Sequence, residues 1–158
     1  MRQKIISQSQ ARRLAKRLRA QGKKIVFTNG TFDLLHWGHV VYLEKARCFG
    51  DVLVVGVNSD RSVKSYKGPD RPLNPEQDRL RVLAALSAVD YAVLFREPTP
   101  RELILKIKPD VLVKGADWKK SEIAGARDVE SWGGKVKRIR LVPGRSTTRL
   151  IRLLDGKR

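Results

Sequence analysis

Short β-branched runs alternate with helical patterns along this chain of 158 residues. The runs that predict strands are residues 24–28, 51–57, 91–95, 111–113 and 136–142. Between them, apolar residues recur with the spacing of amphipathic helices, as at Leu80 and Leu83. Such alternation is typical of βαβ units, which place strands side by side and parallel. The sequence therefore predicts an α/β fold: a three-layer α/β/α sandwich with a Rossmann-like, five-stranded parallel sheet.

The domain organisation is predicted to be simple. A basic helix at about 7–21 is expected to precede a core at 24–154, and residues 1–158 are expected to form one domain, because no linker or internal repeat is evident. The single cysteine, Cys48, excludes an internal disulfide and a Cys-based zinc cluster. No stretch has the length of a signal-peptide core or a membrane span, so we expect a cytoplasmic protein without a membrane partner.

The net charge of +18 is concentrated at the two ends. Residues 1–24 contain nine Lys or Arg and no acid, and residues 135–158 contain nine against one acid. One interpretation is a patch for nucleic acid or a membrane surface. The interpretation we favour is a solvated face that attracts polyanionic metabolites, with small-molecule substrates rather than nucleic acid as partners.

Both histidines of the chain follow the first predicted strand, in the segment 29–39, Asn-Gly-Thr-Phe-Asp-Leu-Leu-His-Trp-Gly-His. A helical pattern begins directly behind them, which places His39 at a helix N-terminus, where anions are favoured. His36 and His39, with Gly38 allowing close approach, can bind one phosphoryl group from two sides, and Thr31 and Phe32 can add backbone N–H donors. The alternatives are ordinary helix-start residues and a zinc pair, which lacks a third ligand.

A second anion site is predicted after the last strand, in the segment 143–149, Pro-Gly-Arg-Ser-Thr-Thr-Arg. Ser146 is expected to cap a helix, with Thr147, Thr148 and their N–H groups facing a ligand. An ordinary serine cap is the alternative. Two such turns side by side would suit a triphosphate, and Arg145 is included in the predicted nucleotide site.

Further candidates lie after other strands. Lys67, before a Gly-Pro pair in a segment predicted to be a loop, could move over the phosphates, or it could be a surface lysine. Lys114, Gly115 and Asp117 follow the fourth strand and offer backbone for a base edge and a carboxylate for a ribose hydroxyl, although Asp117 could be a plain loop acid. Arg79 lies on a helix face and is either a surface charge or, with Asp33, a ligand of the acceptor substrate.

The motifs that are missing narrow the chemistry. The sequence has neither the spacing of a Ser-His-acid triad nor a Gly-x-x-x-x-Gly-Lys-Ser/Thr phosphate loop. Anion sites without a covalent nucleophile favour phosphoryl transfer by positioning and charge stabilisation, with the phosphate of one substrate attacking an α-phosphorus. No protein metal site is predicted, and Mg²⁺ would be held mainly by the triphosphate of the nucleotide.

Residues 30–39 together with 145–149 resemble the cytidylyltransferase-like branch of the His-x-Gly-His nucleotidyltransferases, and the resemblance runs from about Ile25 to Ile151. The segments 57–60, 67–74, 109–115 and 132–136 resemble the D-glycero-β-D-manno-heptose 1-phosphate adenylyltransferases. That resemblance implies transfer of AMP from ATP to the heptose phosphate, giving ADP-heptose for lipopolysaccharide core or related glycans.

The resemblance also implies residue roles. His36 and His39 would stabilise the transition state at the α-phosphate, and Lys67 would contact phosphate. Thr31 and Phe32 would help to seat the nucleotide. The β- and γ-phosphates would be held by Ser146, Thr147 and Thr148. A homodimer is implied as well, and in many relatives this activity is fused behind a sugar-kinase domain.

Three positions depart from the heptose pattern. Thr31 stands where those enzymes often have Cys, and Pro98 stands where Asp is expected. Thr31 and Trp37 instead resemble glycerol-3-phosphate cytidylyltransferase. Cytidylyl transfer to glycerol 3-phosphate, adenylyl transfer to flavin mononucleotide and a non-enzymatic nucleic-acid-binding module therefore remain alternatives.

Overall fold

The computed structural model describes residues 3–144 together with 147, 150 and 151. Within them, six parallel strands form one sheet in the order β1-β4-β3-β2-β5-β6. The strands are β1 (Ile5–Ile6), β2 (Ile25–Gly30), β3 (Val52–Asn58), β4 (Tyr91–Phe95), β5 (Val111–Gly115) and β6 (Lys135–Ile139). The helices are α1 (Gln8–Ala20), α2 (Trp37–Arg47), α3 (Asp60–Lys67), α4 (Glu76–Ala85), α5 (Arg101–Ile107) and α6 (Ala126–Ser131), with a 3₁₀ turn at Lys120–Glu122.

Each face of the sheet is covered by helices, which makes the three predicted layers. On one face, buried residues of α1, α5 and α6 such as Leu14, Ile104 and Val129 pack with the sheet. On the other face, α2 and α4 contribute Leu43 and Leu83. Strands covered on both sides are read in sequence as nearly continuous apolar runs, which is why β3 and β4 were predicted correctly.

The sheet has one more strand than the five predicted from sequence. β1 consists of two residues and pairs with β4 through Ile5 beside Ala92 and Ile6 beside Val93. A run this short has no measurable periodicity, so its strand character depends on the tertiary pairing. The α/β class itself is confirmed.

The predicted helix at the N-terminus is present as α1, and Ser7 and Gln10 form its capping box. Its inner face is apolar and buried, whereas its outer face carries the basic residues Arg12, Arg13, Lys16 and Arg17, all exposed. No helix among the described residues is both long enough and apolar enough to cross a bilayer.

Residues 60–67 correct a second prediction, because this segment was expected to be a loop and forms helix α3. Ser59 caps the helix by accepting a hydrogen bond from the backbone N–H of Ser62 at 3.2 Å, and Val63 is buried beneath it. The polar composition of the segment hid the helix. The predicted last helix, at about 146–154, lies largely outside the described residues.

The strand order reverses between β2 and β5. From β2 the chain proceeds to β3 and β4 on one side, whereas β5 and β6 lie on the other. In an open parallel sheet, such a reversal leaves a crevice beyond the carboxyl ends of the strands, where ligands bind. The segments after β2, β3, β5 and β6 meet at this crevice.

Candidate active site

A cavity of about 780 Å³ lies at the crevice between β2 and β5. Ligand pockets for small metabolites have volumes of this order. The residues predicted from sequence that line it are Thr31, Phe32, Asp33, His36, Gly38, His39, Lys67, Lys114, Gly115, Asp117 and Thr147. Arg145, Ser146 and Thr148 lie outside the described residues. The cavity therefore joins candidates from four separate segments of the chain.

The turn after β2 forms one wall. Phe32 has φ of +50°, a left-handed conformation that costs a bulky residue of the order of 1–3 kcal/mol. A Cβ at Gly30 would lie 3.0 Å from the Phe32 ring, so this position leaves little room for any side chain. Strain of this kind persists only where surrounding contacts hold the backbone, and here the guanidinium of Arg79 donates to the carbonyl oxygen of Thr31 at 2.6 Å.

The two histidines stack at the start of α2. Their ring centroids are 3.9 Å apart, with an interplanar angle of 26°, and Phe32 presents its ring to His39 at a centroid distance of 5.5 Å. The backbone N–H of His36 donates to Nδ1 of His39 at 3.4 Å. Because Nδ1 is the acceptor, the proton of neutral His39 lies on Nε2.

The environment keeps His39 uncharged. Burial, the neighbouring His36 and the positive charge of Lys67 together lower the pKa of His39 to about 4. At neutral pH the ring is therefore an uncharged imidazole with one N–H donor. A fixed donor of this kind can stabilise an oxygen that gains negative charge without first having to lose a proton.

Lys67 also lines the cavity and brings a basic side chain to it. It is the last residue of α3 rather than part of a mobile loop, and its Nζ lies 5.9 Å from the ring centroid of Tyr66. Partial burial lowers the pKa of Lys67, and the nearby Arg71 lowers it further. Lys67 is close enough to the histidine pair for its positive charge to lower the pKa of His39.

The end of β5 and the residues directly after it line another part of the cavity. Lys114 Nζ lies 3.3 Å from Asn29 Oδ1 and 4.9 Å from the centroid of the Trp118 ring. Burial lowers the pKa of Lys114 to about 8, although Asp117 opposes the shift. An added Cβ at Gly115 would collide with the Asp117 carboxylate in its present position, so a side chain here would displace the acid.

The segment after β6 reaches the same cavity. The hydroxyl of Thr147 donates to the carbonyl oxygen of Leu34 at 3.4 Å. This contact brings the second predicted turn beside the turn that precedes His36. The two segments are 113 residues apart in sequence.

Asp33 has a structural role that the sequence did not indicate. Its side chain is 1% exposed and accepts hydrogen bonds from the guanidinium of Arg71 and from the backbone N–H groups of Leu73 at 2.9 Å and Asn74 at 2.8 Å. Burial alone would raise the pKa of Asp33, but these donors outweigh it and lower the pKa. The carboxylate is thus used to hold the segment before α4, and Asn74 donates its amide to the Asp33 carbonyl instead of capping that helix.

Burial excludes one of the two interpretations of Arg79, that of a surface charge. Arg79 is 2% exposed and donates to the backbone oxygens of Thr31, Asn58 and Asn74 and to the Asp60 carboxylate. Each guanidinium nitrogen donates at least one of these hydrogen bonds, which gives Arg79 a structural role, and contact with the acceptor substrate stays a prediction. Arg79 joins the ends of β2 and β3 to the starts of α3 and α4.

Two tyrosines of the cavity wall were missed. Tyr42 Oη donates to Thr28 Oγ1 at 2.7 Å, and Thr28 in turn donates to the carbonyl oxygen of Val113 at 2.9 Å, which ties α2 to β2 and β5. The signal for Tyr42 was available, because it follows His39 by three residues and so lies on the same helix face. Tyr66, on α3, had no such signal because its helix was not predicted.

Comparison with known proteins identifies the class to which this fold and cavity belong. The family model for cytidylyltransferase-like proteins matches residues 27–152. A solved structure, the lipopolysaccharide core biosynthesis protein from Thermoplasma volcanium, is 32% identical, with a TM-score of 0.63, over 77% of this chain and 98% of that chain. The chain therefore belongs to the cytidylyltransferase-like family, which confirms the resemblance seen in the sequence.

Curated relatives are longer than this chain. The bifunctional protein HldE of Magnetococcus marinus is 52% identical over 155 residues, covering 98% of this chain and 32% of the relative. The bifunctional protein HldE of Methylobacillus flagellatus is 60% identical over 136 residues, covering 86% of this chain and 28% of the relative. The chain thus spans about a third of the length of these relatives. A pantothenate synthetase from Thermus thermophilus, 18% identical with a TM-score of 0.60, shares the fold.

Proposed function

We propose that the chain transfers AMP from ATP to D-glycero-β-D-manno-heptose 1-phosphate, giving ADP-heptose and pyrophosphate. The observation that carries the proposal is the stacking of His36 and His39 in a cavity that Lys67 and Thr147 also line. The N–H donated to Nδ1 of His39 and the lowered pKa of that ring indicate a neutral imidazole with its proton on Nε2. These groups offer donors and positive charge for phosphate from several directions. None is arranged as an activated nucleophile.

In the proposed reaction, an oxygen of the acceptor phosphate attacks the α-phosphorus of ATP. The new P–O bond forms as the bond between the α-phosphorus and the bridging oxygen of the β-phosphate breaks, and pyrophosphate leaves with that electron pair. His39 donates its Nε2–H to an α-phosphate oxygen, where negative charge is redistributed in the transition state. His36 assists on the same side, and Lys67 pairs with phosphate oxygens across the cavity.

The nucleoside is proposed to occupy the opposite end, near Lys114 and Asp117. Asp117 is suited to a ribose hydroxyl, and the Gly115 backbone can approach a base edge because no Cβ intervenes. Exposed Trp118 provides an aromatic face. Thr31 and Phe32 are proposed to contact the nucleotide through the turn after β2. Arg145, Ser146 and Thr148 are proposed to hold the β- and γ-phosphates together with Thr147.

Mg²⁺ is proposed to accompany the triphosphate. In the part of the chain that the structure describes, no three His, Cys, Asp or Glu side chains cluster as ligands of one ion. We therefore propose that the ion is held mainly by phosphate oxygens and water, as is common for Mg²⁺. When bound, the ion neutralises phosphate charge, while the residues named above orient the two phosphates.

The names of the relatives favour a sugar phosphate as acceptor. One solved relative is a lipopolysaccharide core biosynthesis protein, and the curated relatives are bifunctional proteins named HldE, which agrees with the heptose-enzyme segments of the sequence. We further propose that residues 1–158 act as one nucleotidyltransferase unit, in the cytoplasm and as a homodimer. Its partners would be small molecules, with neither membrane nor nucleic acid involved.

A substrate panel tests the proposal. ATP and CTP are each combined with heptose 1-phosphate, glycerol 3-phosphate and flavin mononucleotide, and pyrophosphate release is followed. We expect release with ATP and heptose 1-phosphate to exceed every other combination by at least about 10²-fold in kcat/KM. This is a lower bound, because a site built to hydrogen-bond its substrate can reject analogues by about 10⁴–10⁵-fold. A preference for CTP with glycerol 3-phosphate would refute the acceptor and base while keeping the reaction type. Salt-sensitive DNA binding without pyrophosphate release would refute an enzyme.

A further inference from the structure

Helix α3 is tied to the turn after β2 at both of its ends. At its start, Asp60 accepts from Arg79 at 2.7 Å, and the same guanidinium donates to the Thr31 carbonyl at 2.6 Å. At its end, the hydroxyls of Tyr66 and Thr31 are 2.6 Å apart and form a hydrogen bond. Thr31 is therefore held from both sides, through its backbone and through its side chain.

In sequence, Lys67 lies between two residues that bind the turn after β2. Lys67 directly follows Tyr66, and Gly68, with φ of +94°, ends the helix immediately after it. A few residues further on, Arg71 binds the Asp33 carboxylate and returns the chain to the same turn. The last turn of α3 thus lies between one tie to Thr31 and one tie to Asp33.

The two ties are not equally protected. Asp33 is buried and accepts several hydrogen bonds, whereas Tyr66 is 53% exposed, so little packing fixes its ring. Thr31 is 8% exposed and sits beside the strained Phe32. The hydroxyl–hydroxyl bond joins this exposed end of α3 directly to the turn after β2. A lysine has a flexible four-carbon stem, so the location of its ammonium group depends on how firmly its backbone is held.

We infer that Thr31 and Tyr66 are positioning residues whose hydroxyl bond holds the last turn of α3, and with it Lys67, against the phosphate end of the cavity. The inference rests on the proposed function, because that function supplies the phosphate group that Lys67 contacts. It assigns a role to two side chains that act through Lys67. Their hydroxyl groups are hydrogen-bonded to each other. The influence of Lys67 on the pKa of His39 agrees with a cation held close to the histidine pair.

Substitutions that remove one hydroxyl and keep the shape test the inference. Tyr66→Phe and Thr31→Val should each weaken ATP binding about 5-fold, measured by calorimetry, the scale of one hydrogen bond. The double variant should be no weaker than either single variant, because both remove the same bond. Thr31→Ser keeps the hydroxyl and serves as the control for the exchange measurement described below.

The Lys67→Ala background separates positioning from a general structural effect. If Tyr66 acts through Lys67, adding Tyr66→Phe to Lys67→Ala should leave ATP affinity unchanged. A further loss in that background would overturn the inference, and so would wild-type affinity in both single hydroxyl variants.

Amide hydrogen exchange provides a readout that needs no nucleotide. Peptides covering residues 64–68 should exchange about 5-fold faster in Tyr66→Phe and Thr31→Val than in the wild type or Thr31→Ser. Equal exchange in all four proteins would refute the hydroxyl tie. If the wild type fails to bind ATP, the proposed function fails while the exchange result still decides whether the tie exists.

Discussion

The ionisation of His39 is the prediction that the structure defines most sharply. The pKa falls from 6.5 to about 4, which corresponds to a bias of about 3 kcal/mol against the imidazolium form. The causes are burial, His36 and Lys67, and the N–H donated to Nδ1 specifies the tautomer. The ring should therefore be neutral with its proton on Nε2 throughout the range in which the protein works.

Nitrogen-detected NMR of the imidazole rings measures this directly. The chain has two histidines, so protein prepared without a histidine tag gives two sets of ring signals, and His39→Gln assigns them. We expect the His39 set to report the Nε2–H tautomer and to titrate near pH 4. A midpoint near 6.5, or a proton on Nδ1, would refute the reasoning.

The same shift has a consequence for stability. Below pH 6.5 the unfolded chain binds a proton at His39 that the folded chain binds only near pH 4, so the stability linked to this group is present above pH 6.5 and declines as the pH falls. Between pH 8 and pH 4.5 the loss should be about 2.5 kcal/mol. Urea denaturation of the wild type and His39→Gln at both pH values isolates the loss that is due to His39. The carboxylates titrate in both proteins, so their contribution cancels in the comparison. An equal pH dependence in the two proteins would contradict the assignment.

Three further predictions concern other groups. His39→Ala should lower kcat by at least about 10²-fold, as expected for a lost transition-state donor, with an unchanged circular dichroism spectrum; near-normal turnover would count against the role. ATP affinity should weaken as the pH rises through about 8, where Lys114 loses its charge, and calorimetry at pH 7 and 9 should show that Lys114→Met removes this dependence. Arg79→Met should lower the free energy of unfolding by about 3–5 kcal/mol, because it leaves Asp60 and buried carbonyls without their donor, whereas Arg81→Met on the exposed face of α4 should change it by less than about 0.5 kcal/mol; similar losses in the two would refute the buried network.

The features that sequence predicted well are local ones. The buried strands are continuous apolar runs, and His36 and His39 lie in one short segment between a strand and a helix, so their pairing needs no knowledge of the rest of the fold. The position of Lys114 at the carboxyl end of β5 likewise follows from the order of elements and from the rule that ligands bind beyond the strand ends.

The features that sequence missed depend on distant contacts. β1 exists because Ile5 and Ile6 find β4, more than eighty residues away. Asp33 accepts hydrogen bonds from a segment some forty residues further along the chain. Arg79 donates to the carbonyl oxygen of Thr31, which precedes it by 48 residues. Polar side chains look alike in sequence whether they face a ligand or each other, so the roles of Asp33, Arg79 and Tyr66 required the structure.

A crystal structure with a non-hydrolysable ATP analogue tests the central claim most directly. The account predicts one triphosphate lying between His39 and Thr147, with Lys67 beside its phosphates and the nucleoside toward Lys114. Nucleotide bound elsewhere on the sheet, or phosphates with no contact to the histidine pair, would contradict it.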